Sequence, residues 1–335
     1  MPTARAIRPD EPGSEPELER ETPMQVFLTG ATGYIGSAVA EELVKKGHEV
    51  LALARSSSSA KKLKARGYDV VRGDLRDALG LAQAALTADG VIHTAFSNTK
   101  DGPKVDAEAT TAILLALENS GKPFIYTSGV WVYGDTGDTP VHEEDSLDPP
   151  PAVAWRVEVE EKVLRAVDRG VGAVVIRPGI VYGDGDGGGL LEAFRKEAQV
   201  RGSFRVVEDG SQRWAFVHRR DLADLYEKAL QADPGSVFNG TDGTAPPVKE
   251  LGRVLSASAG GVREVLAWPL EEARDEIGGL AEALALDQGN ISSERAASEL
   301  DWVPQQAPVL SEVLPPCTQG APMGPRWEGN GEEAT

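Results

Sequence analysis

Three evenly spaced glycines, Gly30, Gly33 and Gly36, stand between an apolar run of strand length, Val26-Phe27-Leu28, and an amphipathic stretch from Tyr34 to about Lys46. Each glycine answers a physical need. Gly30 lets the backbone turn off the strand, Gly33 lets a pyrophosphate approach the main chain with no Cβ in the way, and Gly36 lets the helix pack close to the sheet. The helix start, with Thr32, Tyr34 and Ile35 around it, offers free N–H groups and partial positive charge to phosphates. Such glycines say little alone. Between a strand and a helix near the start of a globular chain they point to a dinucleotide site.

A second group of residues bears on which dinucleotide. An acid after the second expected strand, Glu49 to Ala54, would bond the adenosine ribose hydroxyls, whereas a base would accept a 2′-phosphate. The chain has Arg55-Ser56-Ser57-Ser58-Ser59, with Lys61 and Lys62 beyond and no acid. NADP is therefore expected in preference to NAD, with Arg55 and Ser56 beside the ribose; a solvated Arg in an exposed serine loop is the alternative. Thr94, Ala95 and Phe96 close a fourth strand that begins at Gly90, and should lie along the cofactor at the carboxyl edge of the sheet. His93 sits among apolar strand residues and reads as a core histidine. His48, His93, His142 and His218 share no metal-ligand spacing, and Cys317 stands alone in a proline-rich tail, so neither a metal site nor a disulfide is expected.

These residues require a scaffold of alternating strands and helices. Asp69 to Arg72 reads as a third strand, Pro123 to Ser128 as a fifth and Val171 to Arg177 as a sixth, with helical periodicity between them. A β-α-β series with short turns gives a parallel sheet covered on both faces. The expected fold is α/β: a Rossmann-type doubly wound sheet over 24–183, then a smaller mixed α/β substrate lobe over 184–314 with segments returning to the sheet. Residues 1–23 read as a disordered leader and 315–335 as a flexible tail. The formal charge of −19 disfavours nucleic acid and anionic membranes. No apolar run reaches bilayer length and no apolar signal segment opens the chain, so a soluble cytoplasmic protein acting on a small molecule is expected.

The spacing Gly-x-x-Gly-x-x-Gly resembles that of the extended and atypical branches of the short-chain dehydrogenase/reductase superfamily, the epimerase/dehydratase-like proteins that bind NAD or NADP. Arg177-Pro178-Gly179-Ile180-Val181-Tyr182-Gly183 and the stretch from Ser292 to Pro304 carry the same resemblance. It implies that Asp74 and Leu75 lie beside the adenine, that Thr127 ends the fifth strand at the cofactor, and that Pro178 and Ile180 flank the nicotinamide. It also leaves open a homodimer built from helices at about 103–121 and 153–169. Asp221 reads as a helix cap, as does Ser292 or Ser293.

The resemblance fails where the chemistry should be. Relatives place a serine after the fifth strand and a Tyr-x-x-x-Lys pair on the next helix. Here Gly129 falls at the serine position, Trp155 at the Tyr and Val159 at the Lys. Trp has no titratable proton near neutral pH. Ser128 or Tyr133 would have to supply the hydroxyl, and Arg156 or Lys162 the positive charge. Otherwise the protein binds NADP without turnover, as NADP-sensing regulators do. A sugar-nucleotide epimerase or dehydratase is a third reading.

Overall fold

The computed structural model describes residues 22–184, 188–258 and 264–313. Nearly all of the expected leader, the tail with Cys317, and the centre of the glycine-rich loop at 184–189 lie outside them.

Strands β1 (Gln25–Thr29), β2 (Glu49–Ala54), β3 (Asp69–Arg72), β4 (Gly90–His93), β5 (Pro123–Thr127) and β6 (Gly172–Pro178) alternate with helices α1 (Tyr34–Lys45), α2 (Ser57–Ala65), α3 (Ala78–Thr87), α4 (Gly102–Leu117) and α5 (Trp155–Arg165). A 3-10 turn, Val130–Tyr133, follows β5. After β6 come β7 (Ile180–Tyr182), α6 (Gly189–Arg201), β8 (Phe204–Val207), β9 (Phe216–His218) and α7 (Arg219–Lys228). The described residues end with β10 (Val237–Gly240), α8 (Val248–Ser258), β11 (Val265–Trp268), α9 (Leu270–Ile277), α10 (Leu280–Ala285), α11 (Glu294–Leu300) and α12 (Val309–Val313).

Seven strands form one parallel sheet in the order β10-β6-β5-β4-β1-β2-β3. Parallel strands covered on both faces must be apolar throughout, and every residue of β6 is buried. On one face Val39, Leu43, Leu225 and Tyr226 pack beneath the sheet, which places α1 and α7 there; on the other, Leu81, Ile113, Leu117 and Val163 place α3, α4 and α5. The strand order reverses between β1 and β4. At such a switch point the outgoing loops diverge and leave a crevice at the carboxyl edge.

A separate apolar cluster lies beyond the sheet. Phe204, Val206, Trp214, Leu251 and Trp268 are its buried centre, built on the parallel pair β8 and β11. The chain enters it three times, over 180–216, over 248–285 and again at Val309, and between the first two passages β10 returns to pair with β6. After the second passage α11 ends at Asp301 in the left-handed conformation (φ 49°). Trp302 then buries its ring and donates Nε1–H to the Asp221 carbonyl at 2.8 Å.

Asp221 is not the cap expected of it. Its carboxylate accepts from the backbone N–H groups of Gln305 and Gln306 at 3.0 and 3.1 Å, while His218 Nδ1 caps α7 by accepting from Arg220 N–H. The carboxylate lies in the first turn of α7 and is turned toward the segment beyond Trp302. At α11, Ser293 holds the N-cap position but bonds Thr241, and Ser292 Oγ accepts from Glu294 N–H.

Candidate functional site

A cleft of about 680 Å³ runs along the carboxyl edge of the sheet, and the loops after β1 to β6 line it. Its floor is the glycine turn. Gly30 has φ +83°, and a Cβ there would lie 2.6 Å from Thr94 Oγ1, so a side chain is excluded twice over. A Cβ on Gly36 would strike the Gly30 carbonyl and Thr94 Oγ1. A Cβ on Gly33 would meet the Gly30 carbonyl oxygen at 3.1 Å and otherwise stand in the cleft. No side chain caps α1 and its first turn holds no acid. Its leading N–H groups and the positive end of its dipole therefore remain available to an anion. This cradle fits a dinucleotide pyrophosphate.

Tyr34 lines the cleft and also holds it together. Its hydroxyl donates to the Gly183 carbonyl at 2.6 Å, and the Arg219 guanidinium lies 4.9 Å from its ring. Burial pushes the phenol up to about 12, so it stays a donor at physiological pH. Thr32 and Ile35 complete this part of the wall.

At one end are Arg55, Ser56, Asp74 and Leu75. Ser56 and Ser59 form a reciprocal cap of α2: Ser56 Oγ accepts from Ser59 N–H and Ser59 Oγ from Ser56 N–H, each at 3.0 Å. Arg55 forms no ion pair among the described residues, whereas Arg76 is neutralised by Asp101 at 2.7 Å. Asp74 Oδ1 accepts from Arg76 N–H at 3.0 Å, which fixes the turn after β3.

Thr94, Ala95 and Phe96 leave β4 along the middle of the cleft, and Pro178 and Ile180 face them across it. Beneath them His93 is locked between β1, β4 and α4, with Nδ1 2.8 Å from Thr29 Oγ1 and Nε2 3.3 Å from Asp106. Asp106 also accepts from the Tyr126 hydroxyl at 2.8 Å. His93 is a core residue.

The far end carries Ser128, Gly129, Trp131 and Arg156. Ser128 N–H donates to the Ile176 carbonyl, but its buried Oγ has no hydrogen-bond partner among the described residues. A buried hydroxyl left unpaired costs about 1–3 kcal/mol, so such groups call for a partner. Arg156 donates Nη1–H to the Thr127 carbonyl at 3.0 Å and lies 4.5 Å from the Trp155 ring and 5.5 Å from that of Phe96. Trp155 stacks on Phe96 at 5.3 Å. Val159 is in the core, and Lys162 reaches Thr111 on α4 instead of the cleft.

Two more of the anticipated residues are not at the cleft. Thr127 turns its hydroxyl inward, donating to the His93 carbonyl at 2.7 Å and meeting the Tyr226 hydroxyl at 2.6 Å. Tyr133 faces the core behind the site, 2.7 Å from Arg177 Nη1 and donating to Asn239 Oδ1 at 2.8 Å. Burial holds this phenol up at about 12 despite the guanidinium beside it. The reason lies in the backbone. Residues two apart in a strand share a face, but in a 3-10 turn they diverge, so Trp131 lines the cleft and Tyr133 points away. Trp131, Asn98 and Leu190 line the cleft without having carried a recognisable signal in the sequence.

The sheet, its switch-point cleft and the glycine cradle together define a Rossmann-type nucleotide-binding protein. The chain belongs to the NAD-dependent epimerase/dehydratase family, whose model matches residues 26–239, and an NAD(P) cofactor is typical of that family. It is 35% identical over 298 residues to the uncharacterized protein YLL056C of Saccharomyces cerevisiae, covering 87% of this chain and 98% of the relative. It is 28% identical over 321 residues to the 2-alkyl-3-oxoalkanoate reductase of Stenotrophomonas maltophilia, covering 84% and 95%. The fold is that of Thermus thermophilus UDP-glucose 4-epimerase, solved with NAD, with a TM-score of 0.72 at 21% identity over 87% of this chain and 96% of that one.

Proposed function

We propose that the protein is an NADP-dependent oxidoreductase that moves hydride between the nicotinamide and a small-molecule carbonyl or alcohol. The observation that carries this reading is the unpartnered Ser128 hydroxyl, buried at the far end of a cleft whose other parts suit a dinucleotide. In its bound state the nicotinamide supplies or accepts the hydride. The glycine turn and the α1 N-terminus would hold the pyrophosphate, and Arg55, which forms no ion pair among the described residues, would take the 2′-phosphate. Ser128 Oγ then donates to the substrate oxygen on which negative charge grows, and solvent completes the proton transfer. The S. maltophilia relative, named as a reductase of an oxo acid, supports a reductive role.

A second reading, a non-catalytic NADP-binding sensor, draws on Trp155 and Val159, which stand where the family's Tyr and Lys would be. Sugar-nucleotide epimerisation or dehydration depends on that same pair and is the least supported.

Titration with NADPH and NADH, followed through intrinsic tryptophan fluorescence, tests the cofactor assignment. NADPH should bind more tightly, and Arg55→Asp should weaken it tenfold or more while sparing NADH. Equal affinities, unmoved by Arg55→Asp, would remove the NADP preference. NADPH binding with no oxidation by any of a broad set of carbonyls would favour the sensor.

A further inference from the structure

We infer that Arg156 is an anion anchor, and that the molecule held next to Ser128 is an oxo or hydroxy carboxylate whose charged end pairs with this guanidinium. The inference rests on the reading of the cleft given above and names the substrate class that the cleft selects.

Three observations carry it. The first is charge: the chain has a formal charge of −19, yet no carboxylate pairs with Arg156 among the described residues. In such an acidic protein an arginine in a cleft finds a carboxylate unless the fold keeps them away. The second is orientation. The guanidinium is held by the rings of Trp155 and Phe96 and by one bond to the Thr127 carbonyl. Those contacts fix its plane and use one of its five N–H donors, so a bidentate edge is left for a ligand. Trp155 gains a role here that a tyrosine acid would not have, as the shelf on which the cation rests. The third is the neighbour. Ser128, next in sequence to the carbonyl that Arg156 binds, has a buried Oγ without a partner. Ser128 and Arg156 both line the cleft, so a hydroxyl and a cation there match a carbonyl and a carboxylate in one small molecule.

The cofactor's own phosphates are poor candidates for this cation. The pyrophosphate cradle follows β1, whereas Arg156 is tied to the end of β5, two strands away in the order β5-β4-β1. Two strand spacings are roughly 10 Å. The 2′-phosphate belongs beside Arg55, farther still across β2.

The test uses the full chain saturated with NADP, with hexanoate and hexanamide as probes of equal shape and different charge, read by tryptophan fluorescence. Turnover is read with 2-, 3- and 4-oxohexanoate, each beside its methyl ester. Hexanoate should bind and hexanamide should not. Arg156→Leu should weaken hexanoate roughly tenfold to a hundredfold, the range expected for a charge-assisted hydrogen bond. Arg156→Lys should fall between, and the NADPH Kd of both variants should stay within twofold. At least one oxo acid should exceed its ester tenfold in kcat/KM. Should Arg156→Leu not fold, the two probes and the acid–ester pairs on the unaltered protein still decide.

Equal binding of hexanoate and hexanamide would overturn the proposal, as would hexanoate affinity unmoved in Arg156→Leu. An NADPH Kd that rises more than fivefold in that variant, with hexanoate indifferent, would assign the guanidinium to the nucleotide and also overturn it. The two readings fail separately. Arg156-dependent hexanoate binding without turnover would retain the anchor and remove the hydride chemistry; reduction of esters as well as acids, with hexanoate unbound, would do the reverse.

Discussion

Two arginines near the same sheet edge live under opposite conditions. Arg177, on β6, is buried behind the cleft and saturated: Nη2 is 2.6 Å from Glu160 Oε2, Nε 3.1 Å from the same atom, and Nη1 donates to Tyr133 and to the Glu143 carbonyl. Burial works against its charge, and the Glu160 carboxylate more than offsets that, so its pKa is raised. Arg156, on the helix that also carries Glu160, has one backbone carbonyl and two aromatic faces. A saturated ion network can fix strands and helices but has nothing left for a ligand. The unsaturated cation and the unsaturated Ser128 hydroxyl are where a ligand gains free energy. The contrast separates scaffold from site more sharply than distance from the cleft does.

The largest expected effect is on the saturated side. Glu160→Ala leaves the Arg177 charge buried without its carboxylate and should cost about 3–5 kcal/mol of stability, measured by denaturant unfolding. Arg156→Leu loses partly exposed cation–π contacts and one hydrogen bond to the Thr127 carbonyl, and should cost about 1–2 kcal/mol. Comparable losses in the two variants would break the contrast. Next in size, Tyr133→Phe removes a hydroxyl that serves both Arg177 and Asn239, and should cost about 1–3 kcal/mol with NADPH affinity unchanged. Should Tyr133→Phe instead abolish turnover at unchanged stability, Tyr133 would move from scaffold to chemistry.

The saturated network also has a pH signature. Glu143 is buried and accepts from Asn239 N–H at 2.8 Å; burial raises its carboxyl pKa in the folded chain. Between the ordinary carboxylate value and that raised one, the folded chain holds a proton that the unfolded chain has released. Its contribution to stability is therefore complete below the ordinary value, near 4.3, and is lost as pH rises through the raised one. Glu143→Gln should flatten that segment of the stability–pH curve, and an unchanged curve would remove Glu143 from the titrating groups. Arg156→Leu should leave the segment as it is.

Much of this scaffold was legible in the sequence because its causes are local. Val26-Phe27-Leu28 followed by Gly30, Gly33 and Gly36 can hardly be anything but a buried strand, a turn and a close-packed helix. Gly30, Arg55 and Thr94 at the cleft directly follow strands that the apolar pattern marks, whereas Trp131, Asn98 and Leu190 carried no such signal. What stayed hidden depends on partners far along the chain. The pairing of Ile180–Tyr182 with Phe216–His218 joins three-residue segments whose register only the fold supplies. Asp221 is committed by Gln305 and Gln306, distant in sequence, so its place at a helix start misled. Tyr133 was misplaced for a local reason, a 3-10 turn written in residues that favour strands, Val-Trp-Val-Tyr. Arg156 was visible as a charge. That it would be left unpaired while Arg177 took Glu160 is a property of the packed structure alone.

The smallest expected effect is the most discriminating. Ser128→Ala deletes a buried hydroxyl that bonds nothing among the described residues, so stability should stay within about 0.5 kcal/mol or rise. Each side-chain deletion proposed for the saturated network carries a cost because it strands a partner, and Ser128 Oγ has none to strand. NADPH affinity should be unchanged, because the pyrophosphate cradle and Arg55 lie elsewhere in the cleft. If Ser128 serves the ligand, kcat/KM for the preferred carbonyl should fall about a hundredfold to a thousandfold, the range for losing a donor to developing negative charge. Unfolding and turnover measured on the same preparation decide between site and scaffold. A loss of stability comparable to that of Tyr133→Phe would mean that the hydroxyl is structural, and the division between the two sides of the β5–β6 edge would have to be redrawn.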